Sequence, residues 1–249
     1  MHVRERLKLP GALTMDDAAF TERFLPEVTV DVVLLSIGSD GSLLTLLAQR
    51  DKEPFKGGWA LPGVFVGRHE SLEDAAARAL ADKAGIAGDV FLEQLFTFGA
   101  LKRDPRGRII SVAYYALIPE GRFVAAISRN TGAAIGYIEV PWDGQRGGPI
   151  LVRNANGKKL KIAFDHDRII GLAVQRIRGK LNYAQIGFEL LADEFTLFEL
   201  QHIHEAVLGR KLNKDSFRRK MLASNLIEDT GKRRSGTAYR PAALYRFKN

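Results

Sequence analysis

From Val28 to Ile37 the chain reads VTVDVVLLSI, a β-branched and apolar run with a single charged residue, Asp31. This pattern predicts a strand. The turn residues Gly38, Asp40 and Gly41, followed by a second run, LLTLLAQR, predict an antiparallel hairpin. A Gly- and Pro-rich stretch from Glu53 to Gly63 leads into SLEDAAARALADKAG, where Ser71 can cap a helix and Gly85 can end it. Further strand-like runs cover Phe91 to Gly99, Ile109 to Ile118 and Ile135 to Val140. Strands before and after one strong helix argue for a mixed sheet with helices packed on it, an α+β layer arrangement. Residues 143 to 160, rich in Gly and Asn, read as a peripheral loop before a helix at about Asp165 to Leu181.

Charge divides the chain. The last 55 residues hold 12 basic and five acidic side chains, a net +7, whereas the first 194 hold 25 and 24, a net +1. A near-neutral region beside a polycationic one implies two domains with different partners. These patterns assign residues 1–160 to a first domain, 161–190 to a linking helix region and 191–249 to a second domain. The absence of cysteine excludes disulfide scaffolds, thiol nucleophiles and cysteine zinc sites, and fits a reducing, cytoplasmic setting. No apolar run approaches the ~18 residues of a membrane span, and the N-terminus lacks the apolar core of a signal peptide, so no membrane partner is expected.

The segment from Trp59 to Ile86, WALPGVFVGRHESLEDAAARALADKAGI, resembles the Nudix box of nucleoside diphosphate hydrolases. That box is a Gly, five residues, a Glu, seven residues, then Arg-Glu-U-x-Glu-Glu-x-Gly-U, with U apolar. Glu70, Arg78, Leu80, Gly85 and Ile86 fit it without a gap. Val64 stands at its first Gly, Ala79 at the Glu after the Arg, and Asp82 and Lys83 at its final acidic pair. In an α-helix positions 79, 82 and 83 share a face. Nudix enzymes present carboxylates to magnesium there, whereas this face would carry a methyl group, one carboxylate and an ammonium. No catalytic residue and no metal ligand is therefore assigned, and Asp82 with Glu70 is the one carboxylate pair left for a divalent ion.

A phosphate-bearing ligand can be held by guanidinium groups instead of a metal. Arg50, Arg78, Arg106 and Arg108 are the candidates, with Arg103 in the same basic loop, and Trp59 and Phe98 can stack on a base. Other roles compete for these residues: core packing for Trp59 and Phe98, a helix-surface ion pair with Asp74 or Asp82 for Arg78, and a plain basic hairpin loop for residues 103 to 108.

In the second region, Thr196 and Glu199 form a capping box before Leu197, Leu200, Ile203, Val207 and Leu208, which recur at helical spacing up to Gly209. Asn213 can cap a second helix, KDSFRRKMLAS, giving a helix-turn-helix. On its wheel Phe217, Met221 and Leu222 make the apolar arc. Arg219 and Lys220 point outward as the main DNA readers, with Lys214 and Ser216 beside them, and Arg218 falls near the apolar arc. Two strand-like segments, Leu226 to Glu228 and Ala243 to Phe247, flank Lys232, Arg233, Arg234 and Arg240. That arrangement describes a winged helix, whose helix enters the major groove while its basic wing lies on backbone or minor groove.

FTLFELQHIHEAVLG, LNKDSFRRKML, Tyr239 to Ala242 and Leu244 to Phe247, together with the altered box and QLFTFGALKRDPRGR, resemble the Nudix-related transcriptional regulators of NAD metabolism, the NrtR family, over nearly the whole chain. The resemblance implies a Nudix-like α/β/α sandwich followed by a C-terminal winged helix. It implies a homodimeric repressor on double-stranded operator DNA, released by ADP-ribose or a related NAD-derived nucleotide, with no cofactor required. Two other functions use the same features. One is a Nudix ADP-ribose pyrophosphatase with an accessory nucleic-acid domain. The other is an RNA-binding factor, which needs aromatic platforms among the cations; the candidates are Phe217, Tyr239 and Tyr245.

Overall fold

The computed structural model describes residues 25–86, 88, 90–181, 190–234 and 241–248. Strands β1 (Glu27–Ile37), β2 (Leu43–Gln49), β3 (Trp59–Ala60) and β4 (Gly63–Phe65) are followed by helix α1 (Leu72–Ala79). Then come β5 (Glu93–Phe98), β6 (Ile109–Leu117), α2 (Glu120–Arg129), β7 (Ala133–Glu139), β8 (Leu151–Arg153) and α3 (His166–Lys180). The strands form one sheet in the order β5-β6-β1-β2-β7-β8, with β3 paired to β2 and β4 to β1. β1 and β6 run parallel from Glu27 opposite Ile109 to Leu35 opposite Leu117, and the other neighbours are antiparallel, so the sheet is mixed.

Alternation along β1 explains the layers. Val30, Val32 and Leu34 enter a core shared with α1 and α2, while Val33 and Leu35 enter a second core beneath α3. β6 divides likewise, Tyr114 and Ala116 to the first core and Tyr115 and Leu117 to the second. Both faces therefore need a helical cover, and the result is the expected α/β/α sandwich. Ser71 Oγ caps α1 by accepting the Asp74 N–H at 3.0 Å, and Gly85 ends the helical segment at φ 67°. Helix α2 was not expected: it starts at Pro119 without a side-chain cap and is fixed by burying Phe123 and Ala126.

Two other expectations change. Residues 143 to 160 are not simply a loop, because Leu151–Arg153 adds the edge strand β8 to β7. Helix α3, in the segment expected to link the domains, buries Ile169, Ile170, Ala173 and Ile177 in the second core of the sheet. A loop seats on it so closely that a Cβ at Gly171 would lie 1.9 Å from the Gly148 carbonyl oxygen.

The remainder is the expected winged helix: α4 (Leu197–Leu208), α5 (Lys214–Ala223), β9 (Ile227–Arg233) and β10 (Ala243–Phe247). Both halves of the Thr196–Glu199 capping box form, and Asn213 accepts the Ser216 N–H. Phe195, Leu200, Phe217, Met221, Ile227 and Tyr245 make its core. Phe217 and Tyr245 are thereby withdrawn from any stacking role, and Tyr239 lies outside the described residues. Among the described residues no helix is long and apolar enough to cross a membrane.

Gly171→Ala should destabilise the fold by about 1–3 kcal/mol through overpacking, read as a lower urea midpoint; an unchanged midpoint would mean that the loop does not sit on α3 as described. His204 is buried against Phe217, and burial, followed by the Lys220 charge, pushes its pKa down to about 4. The unfolded chain then binds a proton that the folded one refuses, so this part of the stability is present above about pH 6.5 and is lost as pH falls toward 4. His204→Gln should flatten the thermal-stability profile between those limits, and superimposable profiles would contradict the assignment.

Candidate functional site

Several elements converge on a cavity of about 100 Å³. Asp31 comes from β1, Arg50 follows β2, Phe65 ends β4, Asp104 and Arg106 lie between β5 and β6, and Phe164 and His166 stand at the start of α3. The Arg50 guanidinium lies 4.7 Å from the centroid of the Phe164 ring, and that of Arg106 lies 5.4 Å from the same ring and 5.1 Å from Phe65. Phe164 holds φ at 54° and Phe55, packed edge-on against it at 4.9 Å, holds 65°, both strained values for bulky residues. Burial, and then the charge of Arg106, push the Arg50 pKa below the usual guanidinium range. Hydrogen bonds to Asp104 at 3.0 and 2.6 Å raise that of Arg106. Two guanidinium groups around one ring, balanced in the same lining by Asp31 and Asp104, place cationic donors beside apolar surface.

The floor of the cavity is a buried polar network. Asp31, the lone charge of the first strand, accepts from Ser111 Oγ at 2.5 Å. Arg103 is buried, 3.8 Å from Asp31, and donates twice to Asp165 at 2.8 and 3.1 Å. That engagement explains why the Asp165 side chain does not cap α3, although its backbone carbonyl accepts from Arg168 and Ile169. The Leu61 N–H donates to His166 Nδ1 at 2.9 Å, and His166 Nε2 lies 3.8 Å from Asp31. Burial pushes the His166 pKa down, although Asp31 and Asp165 oppose the shift, so the ring is neutral at pH 7.

Of the six expected ligand residues, this cavity gathers Arg50 and Arg106. Arg78 is paired with Glu70, at 2.7 and 2.8 Å, rather than with Asp74 or Asp82, and it also donates to the Phe65 carbonyl. That hydrogen bonding holds the Glu70 carboxyl down at about 2. Arg108 donates to the Gly99 and Ala100 carbonyls. Trp59 and Phe98 pack against the second core, as their alternative role required. The face expected to hold 79, 82 and 83 together is divided: Ala79 is fully buried in the first core, while Asp82 and Lys83 are exposed where the helix widens into a π-helical turn over Leu80–Ala84. Sequence reasoning missed Asp31, Phe65, Asp104, Phe164 and His166. Asp31 carried a signal, as the only charge in an apolar strand, and Phe164 carried none.

The second candidate surface is α5. Phe217 and Met221 are buried, whereas Leu222 is 47% exposed and leaves the apolar arc. At about 100° per residue, Arg219 then stands opposite the buried pair, with Arg218 and Lys220 on its two flanks. Arg218 is exposed rather than tucked toward the core. Ser216 and Lys220 line a cavity of about 370 Å³ that also contains Gln145, Arg178 and His204, so this flank faces the first domain. Lys214 is exposed. On the wing, β9 runs through Arg233, so the cations lie along a strand rather than beyond it. Lys232 pairs with Glu194 at 2.7 Å and Arg234 with Glu199 at 2.6 Å, whereas Arg233 is exposed and donates to the Pro241 carbonyl. Arg240 lies outside the described residues.

Residues 25–134 match the model of the NUDIX domain, and residues 187–247 match that of the NrtR DNA-binding winged helix domain. The chain is 36% identical over 224 residues to the ADPR responsive transcriptional repressor NtrR of Acinetobacter baylyi, covering 89% of this chain and 82% of that protein. The crystal structure of Shewanella oneidensis NrtR complexed with a 27mer DNA superposes with a TM-score of 0.67 at 36% identity, over 89% of this chain and 93% of that one. A MutT/nudix family protein from Enterococcus faecalis superposes with a TM-score of 0.72 at 28% identity, over 94% of each chain. With a NUDIX-type sandwich joined to an NrtR-type winged helix, and with identity sustained across both, the chain belongs to the NrtR family of Nudix-related transcriptional regulators.

Proposed function

We propose that this protein is a repressor of NAD-metabolism genes which binds operator DNA through its winged helix and is released when ADP-ribose occupies the Nudix-like domain. The observation that carries the effector half is the pair of guanidinium groups, Arg50 and Arg106, on the Phe164 ring. A diphosphate can take the place of Asp104 on Arg106 and add Arg50, with both phosphates met by fork-shaped donors. Ligand pockets usually enclose ~300–1,000 Å³, so the 100 Å³ cavity must widen, and the Arg106–Asp104 pair at its rim is the contact that entry breaks. The residues of the box do not suit a resident magnesium ion: Ala79 is core, Glu70 is held by Arg78, and Lys83 adds positive charge. This supports sensing rather than hydrolysis.

On the DNA side, Lys214, Arg218 and Arg219 are the exposed reading face of α5, with Ser216 and Lys220 on its inner flank and Arg233 on the wing. Lys232 and Arg234 extend the same basic surface, and Arg240, outside the described residues, stays a candidate from the sequence. A homodimer would set two such helices about one DNA turn apart, and a nucleotide that alters their separation would weaken binding to both half-sites.

Affinity for a duplex that the protein itself selects from a random library should fall roughly 5–150-fold when ADP-ribose is saturating. Superimposable binding isotherms would remove the effector role. Arg50→Ala and Arg106→Ala should each weaken ADP-ribose binding by about tenfold or more, leave duplex affinity unchanged without ligand, and leave ADP-ribose intact in magnesium; enzymatic turnover by the unmodified protein would restore the hydrolase reading. Arg219→Glu combined with Arg218→Glu should abolish duplex binding, measured by fluorescence anisotropy, while the thermal midpoint stays within about 2 °C, because both side chains are exposed. Retained affinity would displace α5 as the reader.

A further inference from the structure

Arg178 sits on α3 in the first domain, yet two of its partners belong to the second. Its Nε donates to the Val207 carbonyl at 2.8 Å and its Nη2 to the Leu208 carbonyl at 3.2 Å. These carbonyls end α4, where helical acceptors have no partner within the helix. Its Nη1 donates to the carbonyls of Gly144 at 3.1 Å and Trp142 at 3.3 Å, and the guanidinium lies 4.8 Å from the Trp142 ring. The side chain is buried and is satisfied by neutral carbonyls, with no carboxylate in ion-pair range among the described residues. Charge is a costly way to fill a buried position, so what this group contributes is a fixed relation between three segments.

The other end of α3 is the effector cavity. His166 lines it, and Asp165 holds Arg103 beside Asp31. At about 1.5 Å per residue, the twelve steps from His166 to Arg178 make a rod roughly 18 Å long. Gln175 clamps the loop to the same rod by donating to the Gln145 carbonyl at 2.7 Å, and the close approach at Gly171 adds a second clamp. Any shift of α3 at the cavity is therefore delivered to the C-terminus of α4, and α4 packs on the reading helix through His204 and Phe217.

We propose that Arg178 is the positioning residue that couples the effector cavity to the DNA reader, by capping α4 from a helix whose other end lies in that cavity. This rests on the effector reading above. The test uses the full chain with ADP-ribose and the self-selected duplex, and compares the unmodified protein with Arg178→Lys and Arg178→Gln. Coupling is the ratio of duplex affinities without and with saturating ADP-ribose. It should drop from the roughly 5–150-fold of an ordinary allosteric pair to less than about twofold in Arg178→Gln and to an intermediate value in Arg178→Lys, while ADP-ribose affinity without DNA stays within about threefold. A merely structural role would change the separate affinities and leave the ratio alone. If the unmodified protein responds and both variants respond by the same factor, the coupling role is overturned and the effector reading stands. If the unmodified protein shows no response, both fall. Should the variants not fold, hydrogen exchange in the unmodified protein decides: ADP-ribose should change amide protection over residues 205–212, and unchanged protection there overturns the proposal.

Discussion

Strand β1 has no side that faces water. Val30, Val32, Val33, Leu34 and Leu35 are all fully buried, to alternate faces of the sheet, and each side chain contributes about 1.5–3 kcal/mol only if both faces are covered. A helix on one side would leave half of that surface in water. α1 and α2 close one face and α3 the other, so the position of α3 is dictated by the same ten residues that open the fold. Asp31, placed in such a strand, must have partners, and Ser111, Arg103 and His166 surround it. Those partners bring the β5–β6 loop and the start of α3 to one place, which is where the cavity lies.

The arginines of the first domain differ in what holds them. Arg103 and Arg78 are engaged by Asp165 and Glu70 and Arg108 by backbone carbonyls, whereas Arg50, held by the Pro54 carbonyl, and Arg106, paired with Asp104, both lie against Phe164. Arg50 feels the repulsion of Arg106 as well as burial. On the reader the contrast is between core and surface. The wing pairs Lys232–Glu194 and Arg234–Glu199 are partly exposed, worth about 0–1 kcal/mol each, and can be exchanged for phosphates at little cost.

Much of this architecture was legible in the residues. The hairpin, the helix from Ser71 to Gly85, the capping box at Thr196, and the Asn213 cap are local devices whose chemistry sits within a few positions of the chain. Helix α2 and strand β8 were not legible, since α2 has no cap signal and β8 is three residues long, made a strand only by its neighbour β7. The arc of α5 was read one residue too wide, because Leu222 is apolar but meets no core.

By itself the sequence determined that a near-neutral region precedes a strongly basic one, and that Ala79 and Lys83 stand where the box has acidic residues. These are matters of residue type and short spacing. Only the tertiary structure decided which arginines share a cavity, that Phe164 rather than Trp59 or Phe98 forms its aromatic wall, and that Arg178 reaches across to α4. The ten residues of the basic and turn-forming stretch from Gly99 to Arg108 hold three arginines and a lysine. Arg106 and Arg108 find partners within the stretch, in Asp104 and in the Gly99 and Ala100 carbonyls, whereas Arg103 is claimed by Asp165 and Arg106 is also laid on Phe164, both far away in sequence. A guanidinium acts within a few ångströms, and the partners that reach it there are brought together by burying both faces of one strand.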